Sequence, residues 1–353
     1  MSSPPERHLR PVEPASPEPP PRRGVLDRVD RFQRRHPVLG FPIAVIYKFV
    51  DDQGAYLAAL ITYYGFLSLF PLLLLLTSVT GFLLGNDDEW RQRIVDSVLN
   101  QFPVLRGELS PSRLQGSTAA IIVGAILAIY GGLGVANAAQ NAMNAAWAIP
   151  RHRRPNPLKA RLTSMLLILT VGLTVIGSTG LSWYVSNAEV QTQARWIASV
   201  GAVALNTLVA IAAFRVATAR RLRKRDVVPG ALFAAAWWQA LQFFSGTYLE
   251  YIASGANTYG VFRLVFGLLA WLLLAALGLV FGVEINVVLA KRLYPRALLT
   301  VFTDNVDLTE ADKQVYADIA NAQRLKGFED ISVSYEHDGQ YRSTRRDVPR
   351  DVF

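Results

Sequence analysis

The stretch LVFGLLAWLLLAALGLVFGVEINVVLA, residues 264–290, contains one charged residue, Glu284, in 27 positions. About 20 helical residues cross the ~30 Å hydrocarbon layer of a bilayer, and a crossing segment must satisfy its own backbone hydrogen bonds. Five more stretches are apolar over comparable lengths, and they cover residues 56–84, 117–138, 162–186, 196–216 and 228–249. The sequence therefore predicts an all-α fold, a polytopic membrane bundle of six transmembrane helices.

Lys and Arg residues cluster in alternate gaps between the six segments. The clusters follow the second, fourth and sixth segments, and they comprise Arg151, Arg153, Arg154, Lys159 and Arg161, then Arg220, Arg221, Arg223, Lys224 and Arg225, then Lys291, Arg292 and Arg296. The gaps after the third and fifth segments hold one basic residue each, Arg195 and Arg263. Because basic loops stay on the cytoplasmic side, both termini are predicted to be cytoplasmic. The gap at 85–116 carries charges of both signs, and the alternation elsewhere places it outside.

Composition narrows the classes of function. The net charge of +9 follows from the cytoplasmic clusters, which lie beside anionic lipid headgroups, so no nucleic-acid partner is expected. The chain has no cysteine, hence no disulfide framework and no thiolate nucleophile. Its four histidines lie in tails or loops, and HExxH and P-loop motifs are missing. We expect no enzyme activity, no metal site and no cofactor.

The chain outside the transmembrane domain, which is predicted over 55–293, divides into three parts. Residues 1–24 are Pro-rich and predicted to be a disordered cytoplasmic tail. Residues 25–54 are predicted to form amphipathic, interfacial helices that turn at Asp51–Gly54 into the first span. Residues 294–353 have 11 acidic and 7 basic residues over 297–353, and they are predicted to be a largely flexible cytoplasmic tail. A capping box at Thr309 and Asp312 predicts one short helix there, and His337-Asp338-Gly339 predicts a hairpin turn.

Polar residues within the spans are costly in hydrocarbon and mark interior faces or cavities. On the second span, Asn137, Asn141 and Asn144 form a polar stripe at helical spacing in the cytoplasmic half, with Gln140 alongside. The stripe fits the lining of a cavity, and it fits equally well a set of hydrogen bonds that hold neighbouring helices together.

Five further residues complete the predicted cavity or translocation site. They are Tyr63, Ser68 and Pro71 in the first span and Glu284 and Asn286 in the sixth. A proline this deep in a helix frees a carbonyl and kinks the helix, which serves either movement or fixed packing.

Charged residues within or beside the spans suggest ion pairs. A buried carboxylate such as Glu284 needs a partner or a proton, and Arg215 near the cytoplasmic end of the fourth span is a candidate partner. Glu250 and Arg263 flank the last outside gap and could pair across it. Structural pairing near the headgroups is the alternative to a functional role for all four. Gly278 and Gly282 form a GxxxG pair, which is typical of close helix packing.

Three stretches together resemble the YihY/BrkB family of bacterial inner-membrane proteins. They are Ala58–Tyr64 running into Ser68–Pro71, then Asn141–Trp147, then Tyr259–Phe262 followed by Trp271 and Gly282–Asn286. The likeness covers about residues 40–295, and it departs from the family's usual pattern at Val283, where Ala is common.

The resemblance implies a six-helix inner-membrane fold with both termini cytoplasmic. Family members are linked to envelope integrity, to serum resistance in pathogens and to proposed export of lipids or other envelope components. The family has an older description as ribonuclease BN-like. This sequence does not support it, because it contains no cluster of the metal-binding residues that phosphodiester cleavage would need.

Two functions follow as hypotheses. The first is a transporter or exporter of lipids or other envelope components, driven by an ion gradient or by the gradient of the substrate itself. The second is a non-transporting scaffold for envelope machinery. The expected partners are membrane lipids and an envelope component or lipid as substrate, and a homo-oligomer is compatible with both hypotheses.

Overall fold

A computed structural model describes residues 25–84, 118–156, 158–168, 192–245, 260–298, 308–337 and 340–343. Most of these residues are helical. The predictions for residues 1–24 and for Glu250 fall outside the described residues.

Nine α-helices of more than ten residues lie within the described ranges, besides a short 3₁₀ helix at Arg151–Arg153. They are α1 (Val25–Arg35), α2 (Pro37–Asp51), α3 (Gly54–Leu84), α4 (Thr118–Ala146), α5 (158–168), α6 (Thr192–Ala217), α7 (Lys224–Phe243), α8 (Gly260–Lys291) and α9 (Glu310–Ala322). The all-α prediction is confirmed in this coarse form, and each of the six predicted spans overlaps one of the helices α3 to α8. Judged by length and apolar composition within the described ranges, one stretch, Val265–Lys291 of α8, could cross a bilayer, with shorter apolar stretches at Gly54–Leu69 and Val203–Ala217. Six spans therefore stay a prediction.

The long helices form a bundle in which α3 packs along α4 while α8 packs against both α3 and α7. At the crossing of α7 and α8 the backbones nearly touch, since a Cβ added to Gly230 would lie 1.8 Å from the carbonyl oxygen of Gly282. A Cβ on Gly278 would lie 2.0 Å from Cδ1 of Trp237. Glycine is required at these positions because any side chain would force the helices apart.

The amphipathic helices α1 and α2 precede the bundle. Val29 and Phe32 of α1 are exposed, as are Arg28 and Arg35. Helix α2 ends at Asp51 and α3 begins at Gly54, so the chain turns where the sequence predicts. Gln53 in this turn has a positive φ of 56°.

The structure describes residues 308–337 and 340–343 of the predicted C-terminal tail. The predicted capping box is confirmed, since Thr309 and Asp312 bond each other's backbone at the start of α9. The predicted hairpin is confirmed as well, with β1 (Ser334–His337) antiparallel to β2 (Gln340–Ser343). Helix α9 packs against the bundle, because Val315 is fully buried in the same apolar cluster as Phe214 and Val287. Acidic residues of this segment pair with basic residues at the end of α8 and just after it.

Candidate functional site

Glu284 lies on α8 in a fully buried position, and the cation that faces it is Lys48 of α2. The Lys48 Nζ is 3.7 Å from Glu284 Oε2, and the two side chains are 2% and 0% exposed. The same ammonium group donates to the carbonyl oxygen of Ala146 at 3.1 Å and bonds the Asp52 carboxylate. The cluster of Lys48, Asp52 and Glu284 therefore joins the ends of α2, α4 and α8.

The hydrogen bonding of this cluster is incomplete. Lys48 has two acceptors, but neither carboxylate oxygen of Glu284 accepts a hydrogen bond from any described residue. Burial opposes the charge on Lys48, yet the Glu284 and Asp52 carboxylates outweigh it and raise the pKa of Lys48. Burial raises the pKa of Asp52 by more than the attraction of Lys48 lowers it. The cation is thus held in its charged form.

Asn286 lies two residues beyond Glu284 and ties α8 to α7. Its Oδ1 accepts a hydrogen bond from the backbone N–H of Gly230 at 2.7 Å. Its Nδ2 is buried with no partner among the described residues. The bond sits at the Gly230–Gly282 crossing, so α7 is fixed directly beside the charged cluster.

The polar stripe of α4 is divided between two surroundings. Asn144 is buried, and its Oδ1 accepts from the backbone N–H of Ala219 just after α6 at 2.8 Å. Gln140 donates to Ser164 Oγ of α5 at 2.8 Å. Asn137 and Asn141 are exposed, and Asn141 accepts from Arg154 at 2.9 Å. The buried members thus bridge neighbouring helices, the second of the two interpretations of this stripe.

The predicted residues of the first span lie farther along α3. Tyr63 is 59% exposed, and Ser68 is buried with its Oγ donating to the Gly65 carbonyl at 3.0 Å. Pro71 lies within α3, which continues to Leu84. Ser68 is about 21 Å along the helix from Gly54 at 1.5 Å per residue. The structure therefore does not bring these residues to the Glu284 cluster.

The candidate partner of Glu284, Arg215, points elsewhere. Its Nε donates to the Leu222 carbonyl oxygen at 3.3 Å, and its side chain is exposed. Lys48 takes the place that the sequence analysis gave to Arg215. The predicted pair of Glu250 and Arg263 falls outside the residues and side chains that the structure describes.

Sequence reasoning missed a second buried cluster, centred on Arg296. The Arg296 Nη1 donates to Asp51 Oδ2 at 2.9 Å, and its Nε bonds Asp312 of α9. Asp312 also accepts from the backbone N–H groups of Ala297 and Thr309, both at 2.9 Å. Burial opposes the charge on Arg296, but Asp51 and Asp312 overcome it and raise its pKa. The cluster of Arg296, Asp51 and Asp312 fastens α2 and α9 to the end of α8.

A second ion pair holds α9 from the other side. Lys291 Nζ donates to Asp318 Oδ2 at 2.9 Å and to the Trp147 carbonyl oxygen at 3.2 Å.

The signal for both buried clusters was present in the sequence as Lys48 within an apolar stretch followed by two aspartates. The sequence did not indicate which residues pair with Lys48 and the two aspartates, because those residues lie far away in the chain. Within the described ranges, no group of three or more His, Asp or Glu side chains is placed to hold a metal ion.

Residues 45–300 match the family model of virulence factor BrkB, a range that includes both buried clusters apart from Asp312. The chain belongs to the BrkB family. The resemblance found in the sequence is confirmed, and this BrkB-family chain is a membrane protein.

Two relatives of this BrkB-family chain have been named. The "Putative ribonuclease-like protein YfkH" of Bacillus subtilis (strain 168) is 25% identical over 265 residues, covering 69% of this chain and 93% of that protein. "Inner membrane protein YhjD" of Escherichia coli (strain K12) is 31% identical over 105 residues, covering 28% of this chain and 31% of that protein. No solved structure matches.

Proposed function

We propose that this BrkB-family protein is a multi-pass protein of the bacterial inner membrane that exports lipids or other envelope components and thereby supports envelope integrity. The observation that carries the proposal is the buried cluster of Lys48, Asp52 and Glu284 at the end of an apolar helix. A carboxylate in such a place is expensive, and within membrane proteins such groups mark substrate or ion pathways. A bundle with a purely structural role would gain no stability from a buried carboxylate that makes no hydrogen bonds.

Exposed apolar side chains support the membrane location. Large apolar residues point outward along the described helices, among them Ile122, Ile126, Ile129, Leu208, Leu232 and Phe266. An apolar surface of this extent needs lipid or another apolar partner to cover it. We take membrane lipids as that partner. The relative YhjD is described as an inner membrane protein, and we extend that location to this chain.

The contacts at one end of the bundle support six spans with both termini cytoplasmic. The basic loop after α4 contacts the segment after α9, since His152 N–H donates to the Arg324 carbonyl at 3.2 Å. The basic loop after α6 is bonded to Asn144, and Lys48 of α2 is bonded to Ala146. Helix α2, the segment after α9 and both basic loops therefore meet at one end, as the positive-inside rule requires of a cytoplasmic face.

Single cysteines test this topology, because the chain has none of its own. Gln191→Cys and Asn257→Cys should react with an impermeant thiol reagent in intact cells. Asn156→Cys and Arg223→Cys should stay unlabelled until the cells are broken. Labelling of Asn156→Cys from outside contradicts the proposed orientation.

A scaffold for envelope machinery is the second candidate function. It is favoured by Gln140, Asn144 and Asn286, whose side chains tie helices together. Such bonds contribute about 0.6–2 kcal/mol each within membranes. A rigid bundle of this kind, alone or as a homo-oligomer, could hold partner proteins without moving a substrate.

A flux assay separates the two functions. The purified full chain is placed in phosphatidylethanolamine–phosphatidylglycerol vesicles that carry a fluorescent phospholipid. We expect faster transbilayer movement than in protein-free vesicles, and Glu284→Gln should return the rate to that of protein-free vesicles. Glu310→Gln is the matched control, because that carboxylate on α9 is 86% exposed. A wild-type chain that complements a deletion strain but moves no lipid supports the scaffold.

A further inference from the structure

The cluster of Lys48, Asp52 and Glu284 holds two carboxyl groups and one ammonium group. With all three ionised, the cluster would carry a net charge of minus one in a buried space. An uncompensated buried charge is strongly unfavourable, and a group in that situation takes up or loses a proton. One added proton makes this cluster neutral.

The geometry indicates where that proton is held. Asp52 accepts a hydrogen bond from Lys48, whereas neither carboxylate oxygen of Glu284 accepts one from any described residue. The two carboxyl groups adjoin each other beside the same ammonium group. Ionised carboxylates only accept hydrogen bonds, but a protonated one becomes a donor. A proton shared between Glu284 and Asp52 supplies the donor that Glu284 receives from no other described residue.

Cations on the neighbouring elements do not neutralise the cluster, because they already pair with other acids, and Arg296 pairs with two. These pairs are Asp51 and Asp312 with Arg296, Asp318 with Lys291, and Asp226 with Arg225. Arg220 is exposed on the side of Lys291. Helices α3 and α4 contain no charged residue over 54–84 and 118–146. The surplus negative charge is therefore left to Asp52 and Glu284.

We propose that Lys48, Asp52 and Glu284 form a proton-binding site that couples a transmembrane proton gradient to export. This inference rests on the proposed function and names its coupling ion. A proton that enters from outside binds the Glu284 carboxylate and brings the cluster from minus one to zero. When the proton leaves to cytoplasmic water, the carboxylate is restored and attracts Lys48 again. Lys48 also donates a hydrogen bond to the end of α4, so a change in its attraction to Glu284 alters the contact between α2 and α4.

Infrared titration of the full chain in phosphatidylethanolamine–phosphatidylglycerol vesicles tests the proton site without any transport. The wild type should show the C=O band of a buried protonated carboxyl, and Glu284→Gln should lose it. The exposed control Glu310→Gln should keep the band. Asp52→Asn removes the surplus charge, so the band should then appear only at lower pH. Lys48→Met removes the cation, so the band should persist to higher pH.

The two opposite shifts distinguish proton binding from a purely structural role. A band that survives Glu284→Gln overturns the assignment. Shifts of Asp52→Asn and Lys48→Met in the same direction, or no shift in folded variants, also overturn it. Elution of each variant as a single species shows that it is folded, and Asp52→Asn serves if Glu284→Gln does not fold.

Coupling is measured in the same vesicles with an imposed pH gradient. The gradient should accelerate movement of the fluorescent phospholipid by the wild type and leave Glu284→Gln unchanged. Lipid movement that ignores the gradient overturns the coupling and leaves the proposed export intact. A titrating band without lipid movement in any condition contradicts the export and leaves the proton site intact.

Discussion

The two buried clusters share consecutive residues of α2 but differ in how their charges are satisfied. Asp51 belongs to the Arg296 cluster, in which Asp312 also accepts two backbone N–H groups. Asp52 belongs to the Glu284 cluster, in which the glutamate has no hydrogen-bond donor among the described residues. Carboxylates that all have donors suit a fastening, whereas a carboxylate without a donor suits a site that takes up a proton. Burial alone therefore does not tell a structural charge from a functional one.

The largest expected loss of stability is at the Arg296 cluster. Arg296→Met leaves Asp51 and Asp312 facing each other without their cation. Breaking one side of a buried ion pair costs about 3–5 kcal/mol, so thermal unfolding in detergent should occur at a much lower temperature. Arg221→Met, an exposed arginine in the loop after α6, is the control and should change little. An unaltered unfolding temperature for Arg296→Met would remove the distinction between the clusters.

Lys48→Met breaks the other cluster and should behave differently. Without the ammonium group, Asp52 and Glu284 can still lower their charge by binding protons. The loss of stability should therefore be small in acid and should grow as the pH rises. That of Arg296→Met should vary less, because Asp312 keeps the backbone N–H donors of Ala297 and Thr309, which favour its charged form. Unfolding curves of both variants across a pH series give the comparison. Parallel pH profiles for the two variants would contradict it.

Asp52→Asn should change the pH dependence of stability. Burial raises the pKa of Asp52, so the folded state binds its proton more tightly than the unfolded state does. Stability then falls as the pH rises from the ordinary carboxyl pKa through the raised folded value. The asparagine variant cannot titrate, and its unfolding temperature should decline less over that window. A steeper decline than in the wild type argues against this sign.

The smallest effect is expected at the second attachment of α9. Lys291 and Asp318 are 17% and 33% exposed, so solvent screens their pairing. Asp318→Asn should cost at most about 1 kcal/mol, as for partly exposed pairs. Hydrogen exchange of the α9 amides should accelerate slightly while the rest of the bundle keeps its protection. Strong deprotection of the whole bundle would make this pair as important as Arg296.

Local patterns in the sequence predicted much of the fold. Apolar length located the long helices, the Thr309–Asp312 box located the start of α9, and the GxxxG pair located the contact between α7 and α8. Each of these depends on neighbours within a few residues or on composition. The same patterns identified Glu284 as a buried acid.

The partners of the buried charges could not be predicted. The expected position of Arg215 and Glu284 near the same membrane face favours their pairing. No local pattern in the sequence favours Lys48 over Arg215 as the partner of Glu284. The pairing depends on where α2 comes to lie against α8, and one sequence does not encode that contact as a pattern. For the same reason, the sequence does not indicate that Asp312 and Asp318 of the acidic segment pair with Arg296 and Lys291.

The Arg296 cluster also sets an order of events during biosynthesis. Asp51 is synthesised long before Arg296, and Asp312 follows later still. The cluster therefore cannot form in full until α9 has left the ribosome. Chains cut after α8, such as reporter fusions placed near residue 298, lack Asp312 and leave the apolar surface around Phe214 and Val287 without the Val315 that covers it. Such fusions should be recognised by quality-control proteases even when every span is inserted in its correct orientation.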